Sequence, residues 1–338
     1  MITLKDIAEE AGVSITTVSN VVHNRTSRVS PEQEAKIWEI IERRHYVPSM
    51  TARTLANDNS SIIGVITRLT LQKPGSTMSD PFLSTFIEAI ERRTREEGYF
   101  LMIRSAEEPK DLESLSRSWR LSGMILTSMF PDEFDEYTRN LNVPFVMIDS
   151  YIDLPGVCNI GLEDEKGAYI ATKHLLENGH RVIAFAAPAI LPGGVVEKRF
   201  QGYCRALAEY GVSFDPSLVF AQENTVEEGC KLGHVLSEKK EITGIVASAD
   251  ILAAGIMAGL REKGVSVPQD KSIVGFDDNY LCRLTNPSLT TIHQDAERKG
   301  ILATEMILAQ MRNEAIAERS VILPVSLVER ESVRNLNE

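Results

Sequence analysis

The sequence predicts an all-α helix-turn-helix headpiece followed by an α/β core of two lobes, each a doubly wound parallel sheet. Three observations lead to this fold class. Apolar residues recur at helical spacing between positions 4 and 41, and a polar stretch follows at 57–61. Beyond it, strand-like and helix-like segments alternate, which is typical of a parallel α/β sheet. The strand-like runs are apolar throughout, as strands buried on both faces must be.

Two short helices joined by a tight turn are predicted at the start of the chain. The first has apolar residues on one face, namely Leu4, Ile7, Ala8 and Ala11. Gly12 ends that pattern, and Ser14 stands where an N-cap would begin a second helix. The apolar side of the second helix consists of Val18, Val21 and Val22. On or near its other face lie side chains that suit base edges and phosphates in a DNA major groove: Ile15, Thr16, Ser19 and Asn20.

A third helix is predicted to begin after Ser30, which forms a capping box with Gln33 and precedes a proline at the first helical position. Its buried face is predicted to consist of Ile37, Trp38 and Ile41. A three-helix bundle that binds no DNA would have the same pattern. The physical pattern alone therefore leaves both interpretations open.

The core is predicted to begin with the apolar run 62–66, directly after the polar linker. In its first part, strands are predicted at 62–67, 99–104, 123–126 and 143–148, with a helix at 83–97. In its second part, helices at 165–178, 195–210 and 253–263 alternate with strands at 182–186, 244–247 and 273–276. Two lobes follow from this order, and the cleft between them is a natural ligand site.

Carboxylates stand at the ends of two predicted strands. Asp149 follows one of them, and Asp277 and Asp278 follow the other. Side chains at the carboxyl ends of parallel strands face the cleft; in the alternative, Asp277 and Asp278 cap the segment that follows them. No glycine-rich phosphate loop, HExxH, GxSxG or paired His and Cys arrangement occurs in the sequence, so no catalytic residue is predicted.

Residues 3–22, TLKDIAEEAGVSITTVSNVV, closely resemble the headpiece of the lactose, galactose and purine repressor family. Further matches are 29–32 (VSPE), 46–48 (YVP) and 52–56 (ARTLA), the last of which is similar to the family's hinge helix. The resemblance covers essentially the full chain. It implies a DNA-binding headpiece at 1–47, a hinge helix and linker at 48–60, and an effector-binding and dimerisation core at 61–338.

By this resemblance Ile15, Thr16 and Asn20 would face bases, and Leu55 would kink DNA by wedging into the minor groove. The full set of predicted DNA-binding residues is Thr3, Leu4, Ser14, Ile15, Thr16, Thr17, Ser19, Asn20, Asn24, Val29, Ser30, Tyr46, Arg53 and Leu55. The stretch 22–29 is one residue longer than its counterpart in the lactose repressor.

The core resembles periplasmic sugar-binding proteins, which implies chain crossings between the lobes near 157–162, 290–295 and 318–323. The implied N-lobe is about 61–159 with 294–319, and the C-lobe about 160–293 with 320–332. The predicted effector-binding residues are Phe82, Asp149, Arg199, Asp250, Asp277 and Gln294. Arg199 and Asp277 would each bind a sugar hydroxyl, with Phe82 stacked on a ring face. In the alternative, Asp250 caps a helix and Arg199 forms a surface ion pair.

The negative charge of the chain is an objection to the DNA-binding interpretation, because phosphates are bound mainly by Lys and Arg. The chain carries a net charge of −12, and residues 1–60 hold seven Lys or Arg against eight acids, a net of −1. DNA binding would thus depend on the placement of a few cations and amides.

The four cysteines, 158, 204, 230 and 282, have neither zinc-site nor CxxC spacing and are interpreted as ordinary buried thiols. His174 and His180 are expected to be structural, and neither metal nor cofactor is predicted.

The sequence therefore predicts a transcription regulator, a repressor that binds a near-palindromic double-stranded DNA operator as a homodimer and responds to a carbohydrate effector. It lacks a signal peptide and a long apolar window, so a cytoplasmic location without membrane contact is expected. Two alternatives are a sugar- or nucleoside-processing α/β enzyme with an accessory DNA-binding domain, and a transporter's solute-binding protein. The insertion 68–80 would extend the pocket or form a solvated flap.

Overall fold

The computed structural model describes residues 2–22, 26–46, 60–67, 80–152 and 154–337 of the chain. The chain divides into two compact units, Met1–Ser60 and Ser61–Glu338, called here the N-terminal unit and the core. Several predictions lie outside the described residues: the role of Asn24, the hinge helix with Arg53 and Leu55, and most of the insertion 68–80. Within the described ranges, no helix is long and apolar enough to cross a membrane.

Three helices form the headpiece: α1 (Leu4–Ala11), α2 (Ile15–Val22) and α3 (Pro31–Arg43), with a 3-10 turn at Thr26–Arg28. Thr3 caps α1, because its hydroxyl accepts from the Asp6 backbone N–H while the Asp6 carboxylate accepts from the Thr3 N–H. Gly12 ends α1 at φ 72°, a left-handed conformation that glycine adopts without strain. This reversal produces the tight turn that the sequence predicts.

The predicted N-caps of the second and third helices are formed. Ser14 Oγ accepts from the Thr17 N–H at 3.1 Å, and Ser30 Oγ accepts from the Gln33 N–H at 3.3 Å. The headpiece has its own core of Ile7, Ala8, Ala11, Val18, Val21, Ile37, Ile40 and Ile41. The prediction that Trp38 belongs to this core is wrong. Its side chain is 37% exposed, because position 40 takes the inward place on the helix.

The first lobe is a six-stranded, fully parallel sheet. Its strands are β1 (Ile62–Thr67), β2 (Phe100–Ser105), β3 (Gly123–Thr127), β4 (Phe145–Ile148), β5 (Cys158–Leu162) and β11 (Ser320–Leu323). They lie in the order β11-β5-β4-β3-β1-β2. Its helices are α4 (Pro81–Glu96), α5 (Pro109–Ser118), α6 (Phe134–Thr138) and α12 (Ala296–Met311), with a 3-10 turn at Pro131–Glu133.

The second lobe repeats this plan with one antiparallel edge strand. Its strands are β6 (Ile183–Ala187), β7 (Val219–Ala221), β8 (Gly244–Ala247), β9 (Ser272–Asp277), β10 (Thr290–His293) and β12 (Ser326–Val328). The order is β12-β10-β9-β8-β6-β7, and only the β10–β12 pair is antiparallel among these described strands. The helices are α7 (Asp164–Glu177), α8 (Val195–Glu209), α9 (Val226–Ser237), α10 (Asp250–Glu262) and α11 (Leu281–Leu284), with a 3-10 turn at Pro216–Leu218.

Helices α9 and α10 touch through their backbones. Four glycines lie at this contact: Gly229, Gly233, Gly255 and Gly259. A Cβ on Gly259 would lie 2.1 Å from the Cys230 carbonyl oxygen, and one on Gly255 would lie 2.4 Å from the Val226 carbonyl oxygen. Only glycine fits at such a distance, so the sequence fixes how closely the two helices approach.

The chain crosses between the lobes after β5, after β10 and between β11 and β12. The predicted boundaries placed 160–162 and 320–323 in the second lobe, and this is wrong. Both segments are strands of the first sheet, paired in register from Asn159 with Ser320 to Leu162 with Leu323. Each of these strands stays paired with its neighbour up to its last residue. The chain therefore leaves the first lobe only after Leu162 and after Leu323. The predicted class, an all-α headpiece followed along the chain by two doubly wound lobes, is confirmed.

Candidate functional site

The second helix of the headpiece presents a partly exposed face opposite the side that enters the core. Val18 and Val21 anchor α2 in the core, while Ile15 is 49% exposed and Ser14 and Thr16 are also exposed. The remaining predicted contacts on this helix, Thr17, Ser19 and Asn20, are half-buried. A mixed apolar and hydroxyl face of this kind can contact thymine methyl groups and base-edge donors and acceptors.

The other predicted DNA contacts of the headpiece fall into two groups. Thr3 and Ser30 are exposed N-cap residues. Leu4, Val29 and Tyr46 are half-buried and pack against the headpiece core, and burial raises the pKa of Tyr46. Asn24, Arg53 and Leu55 lie outside the described residues. The DNA-binding assignments remain predictions.

Most described cations of the headpiece already have partners within it. The carboxylate of Glu10 pairs with both Arg43 and Arg44, and Lys5 lies 3.8 Å from Glu9. Lys36 Nζ donates to the Ala11 carbonyl oxygen at 3.0 Å. These exposed pairs contribute little to stability, but they reduce the positive charge available to phosphates.

A cavity of about 300 Å³ lies between the two lobes of the core. It is lined by residues at the carboxyl ends of the parallel strands: Thr67, Thr127, Ser128, Ile148, Asp149, Pro188, Ser248, Asp277 and Gln294. Five of the six predicted effector-binding residues line it, namely Phe82, Asp149, Arg199, Asp277 and Gln294. Asn224 and Ala249 line it too.

A chain of polar contacts runs along one wall of the cavity. Lys299 Nζ lies 2.9 Å from each carboxylate oxygen of Asp149 and donates to Gln294 Oε1 at 3.1 Å. Gln294 Nε2 in turn donates to Asp277 Oδ1 at 2.6 Å. Lys299 also lies 5.3 Å from the centre of the Phe82 ring, a cation–π contact. Lys299, which the sequence analysis did not identify, therefore contacts three of the predicted residues directly and is linked to Asp277 through Gln294.

Arg199 is held by a second set of contacts. Its Nε donates to Asp164 Oδ1 at 2.7 Å, and its guanidinium donates to the Ser248 carbonyl oxygen. The guanidinium carbon lies 3.6 Å from the centre of the Phe276 ring. The ion pair with Asp164 is buried, so the alternative of a surface ion pair for Arg199 is wrong. A cation fixed on three sides presents its remaining surface to the cavity with little freedom to move.

Three cavity residues adopt left-handed backbone conformations where their strands end. Ser128 has φ 59°, Asp149 φ 53° and Asp277 φ 118°. Non-glycine residues in this region of φ carry a conformational cost, and such residues cluster at binding sites. Burial raises the pKa of Asp277 well above its ordinary value, a shift that the nearby carboxylate of Asp250 adds to. Burial also raises the pKa of Asp149, against the opposing effect of Lys299.

Asp250 is not among the residues that line the cavity. It is fully buried, accepts from the Thr291 hydroxyl at 2.5 Å and accepts from the Asn279 backbone N–H at 3.0 Å. Burial raises its pKa to about 6. The structure thus gives Asp250 an internal role at the start of α10, behind the cavity wall. His180 is likewise internal, bonded to Thr243 and to the Arg334 carbonyl.

Comparisons with known proteins agree with this architecture. The family model described as bacterial regulatory proteins, lacI family, matches residues 3–49, and a periplasmic binding protein-like domain matches 172–333. A relative named HTH-type transcriptional repressor PurR, from Glaesserella parasuis serovar 5, is 31% identical over 100% of both chains. The protein of the same name from Erwinia tasmaniensis is 31% identical over 98% of this chain and 97% of its own.

Solved structures give the same result. A lac repressor dimer bound to operator and the anti-inducer ONPF has a TM-score of 0.82 and 27% identity, covering 98% of this chain and 99% of that one. A LacI family regulator from Enterococcus faecium with bound ribose has a TM-score of 0.72 and 28% identity, covering 81% of this chain and 99% of that one. The resemblance found in the sequence is confirmed: this chain belongs to the lacI family of bacterial regulatory proteins.

Proposed function

We propose that this protein is a transcriptional repressor that binds its operator as a homodimer and is controlled by a carbohydrate bound in the cavity between the lobes. The observation that carries the proposal is the cavity itself, to which both lobes contribute charged residues and Phe82 an aromatic ring. An effector that contacts both lobes shifts the equilibrium between two arrangements of the lobes. The size of the shift equals the difference between its binding free energies for the two arrangements.

The chemistry of the cavity favours a small carbohydrate. Its volume of about 300 Å³ is at the low end of the range of about 300–1,000 Å³ for ligand pockets. Its lining combines apolar side chains with charged ones; the apolar ones are Phe82, Leu83, Met129, Phe130, Leu191 and Val195, and the charged ones include Asp149, Asp277 and Arg199. A sugar has an apolar C–H face and a rim of hydroxyls, and carboxylates accept from such hydroxyls in charge-assisted bonds.

The relatives support the regulatory part of the proposal, because those of similar length are named repressors and one structural neighbour is a dimer on its operator. The exposed face of α2 would read the operator, and the predicted hinge with Leu55 would contact the minor groove. The rival interpretation, an α/β enzyme with an accessory DNA-binding domain, requires turnover of a bound sugar or nucleoside. Chromatography of such ligands after incubation with the protein tests that point.

A thermal-shift screen of sugars and nucleobases on the full-length protein tests the effector class. We expect a sugar to raise the melting temperature of the wild type and to have much less effect on Arg199→Ala and Phe82→Ala. Arg205→Ala is the matched control, since Arg205 lies on the same helix but pairs with the exposed Glu165. Stabilisation by a nucleobase and by no sugar would contradict the carbohydrate assignment.

The regulatory step is tested on DNA. Rounds of selection from random duplexes should yield a near-palindromic sequence, and the sugar found in the screen should change the affinity for it. Asn20→Ala should weaken binding to the selected duplex, whereas Asn140→Ala on the core should not. Selection of a site without two-fold symmetry would contradict the homodimer proposal.

A further inference from the structure

Three side chains of metal-ligating type meet on the α9–α10 helix pair, and none of them lines the cavity. Cys230 and His234 lie four residues apart on α9, a pairing that the sequence analysis did not identify, and Glu262 is the last residue of α10. The expectation that all four cysteines are buried is wrong for Cys204 and Cys230, which are half-buried. His234 Nε2 is 2.7 Å from Glu262 Oε2, and Cys230 Sγ is 3.8 Å from the same nitrogen and 3.7 Å from the same oxygen. One atom of each type thus faces a common point.

The two helices hold these side chains in place through their glycine contact. Residues four apart on a helix share a face, so Cys230 and His234 both point towards α10. Gly259 lies against the carbonyl oxygen of Cys230 itself, one turn before Glu262. The backbones at the cluster therefore have a fixed separation, and little ordering would be needed before a ligand binds.

We propose that Cys230, His234 and Glu262 form a Zn²⁺ site with water as the fourth ligand. With Zn–S near 2.3 Å and Zn–N and Zn–O near 2.1 Å, a tetrahedral site separates sulfur from nitrogen or oxygen by about 3.6 Å. The two sulfur distances already have this value to within about 0.2 Å. The nitrogen–oxygen pair would open to about 3.4 Å as the metal replaces the proton between them.

The set of donor atoms selects the metal class. A thiolate, an imidazole and a carboxylate together suit Zn²⁺, whereas Mg²⁺ and Ca²⁺ prefer oxygen ligands alone. Cys230 and His234 are half-buried and Glu262 is exposed, so a metal ion and its water reach the cluster from solvent. A histidine–glutamate ion pair with weak thiol hydrogen bonds would give the same three distances without a metal, and the experiment below separates the two arrangements.

Cobalt spectroscopy on the full-length protein tests the proposal. After removal of metals by a chelator, Co²⁺ is titrated in the presence of a phosphine reductant. A tetrahedral site with a thiolate ligand gives intense visible bands and a sulfur-to-cobalt charge-transfer absorption in the near ultraviolet, both displaced by Zn²⁺. We expect saturation at one Co²⁺ per chain. Cys230→Ser should abolish the charge-transfer absorption, while Cys204→Ser, a half-buried thiol on α8, should retain it.

A second pair of variants does not involve the thiol. Glu262→Gln at its exposed position should weaken Co²⁺ binding at least about tenfold, and His234→Asn should abolish Zn²⁺-dependent thermal stabilisation, whereas His174→Asn should not. The proposal is overturned if the wild type shows no charge-transfer absorption. It is also overturned if the absorption survives Cys230→Ser, or if Zn²⁺ stabilises His234→Asn as much as the wild type.

Discussion

Replacing Lys299 by methionine tests what holds the charged wall of the cavity in place. The lysine side chain is fully buried, and its Nζ contacts both Asp149 oxygens at 2.9 Å and Gln294 Oε1 at 3.1 Å. Methionine keeps most of the length and volume of the side chain and removes only the ammonium group. The variant therefore leaves the Asp149 carboxylate buried without the cation that contacts it.

The expected cost is that of a broken buried ion pair, about 3–5 kcal/mol. In a domain of this size each kcal/mol lowers the melting temperature by about 2–4 °C, so the loss at pH 7 should be roughly 6–20 °C. The pH dependence has a definite sign. Burial raises the folded-state pKa of Asp149 above its ordinary value, and removal of Lys299 raises it further. Protonation then favours the folded state, so the deficit should shrink between pH 7 and pH 5.

Thermal unfolding followed by circular dichroism measures the loss, with Lys240→Met at an exposed position as the control. The double variant Lys299→Met with Asp149→Asn should recover most of the lost stability, because it removes the unpaired charge. A single variant that loses less than about 1 kcal/mol would refute the reasoning. A double variant no more stable than the single one would refute it too.

Three further predictions concern other parts of the chain. Leu55→Ala should weaken binding to a selected operator at least about tenfold and leave binding to random DNA nearly unchanged, as measured by fluorescence anisotropy. Gly259→Ala should lower the free energy of unfolding by about 1–3 kcal/mol in urea, because its Cβ would lie 2.1 Å from the Cys230 carbonyl oxygen. Gly161→Ala, whose Cβ meets only a flexible side-chain end, should cost less. Asp250→Asn should flatten the pH dependence of the unfolding free energy between about pH 4 and 6, measured by urea denaturation.

The sign of the last prediction follows from the pKa of Asp250, which burial raises from 3.8 to about 6. Its contribution to stability is present below pH 3.8 and is lost as the pH rises through 6. Asp215→Asn is the control, since a backbone hydrogen bond lowers the pKa of that exposed carboxyl. An unchanged pH profile for Asp250→Asn would contradict the assignment. Equal losses in specific and random DNA binding would contradict the role of Leu55, and equal costs for the two glycine variants would contradict the helix-contact argument.

The spacing of apolar residues predicted helices and strands well wherever each face of the helix or strand is either clearly apolar or clearly polar. The capped helices of the headpiece and the apolar strands of both lobes are found within a few residues of their predicted places. Trp38 was misplaced because four of the five residues at 37–41 are large and apolar, more than the inward face of the helix holds, and only packing decides which one turns outward. The lobe boundaries were misplaced because strand pairing between β5 and β11 is a long-range contact that no local pattern contains.

Asp149 and Asp277 were predicted from their position at strand ends and Gln294 from the family resemblance; all three line the cavity, and their contact with an effector stays a prediction. The strand-end pattern missed Lys299, which lies inside α12, where a lysine ordinarily indicates a solvated face. The sequence did contain one indication of its role, because Lys299 stands at a position of α12 that faces inward, where a charged residue is unusual. Asp250, which was named with the family resemblance, does not line the cavity, because its carboxylate turns back into the lobe and accepts from Thr291 and Asn279.

The ion pairs within the headpiece limit how tightly the protein holds random DNA. Nonspecific affinity comes almost entirely from counterions released when cations neutralise phosphates, and Arg43, Arg44 and Lys5 are already paired with headpiece acids. A genome offers about 10⁶–10⁹ competing sites, so weak nonspecific binding leaves a larger share of the copies unbound. Under the proposed function, a small number of molecules per cell would therefore be enough to occupy the operator. The concentration of free repressor would stay nearly constant, so operator occupancy would change with the effector alone.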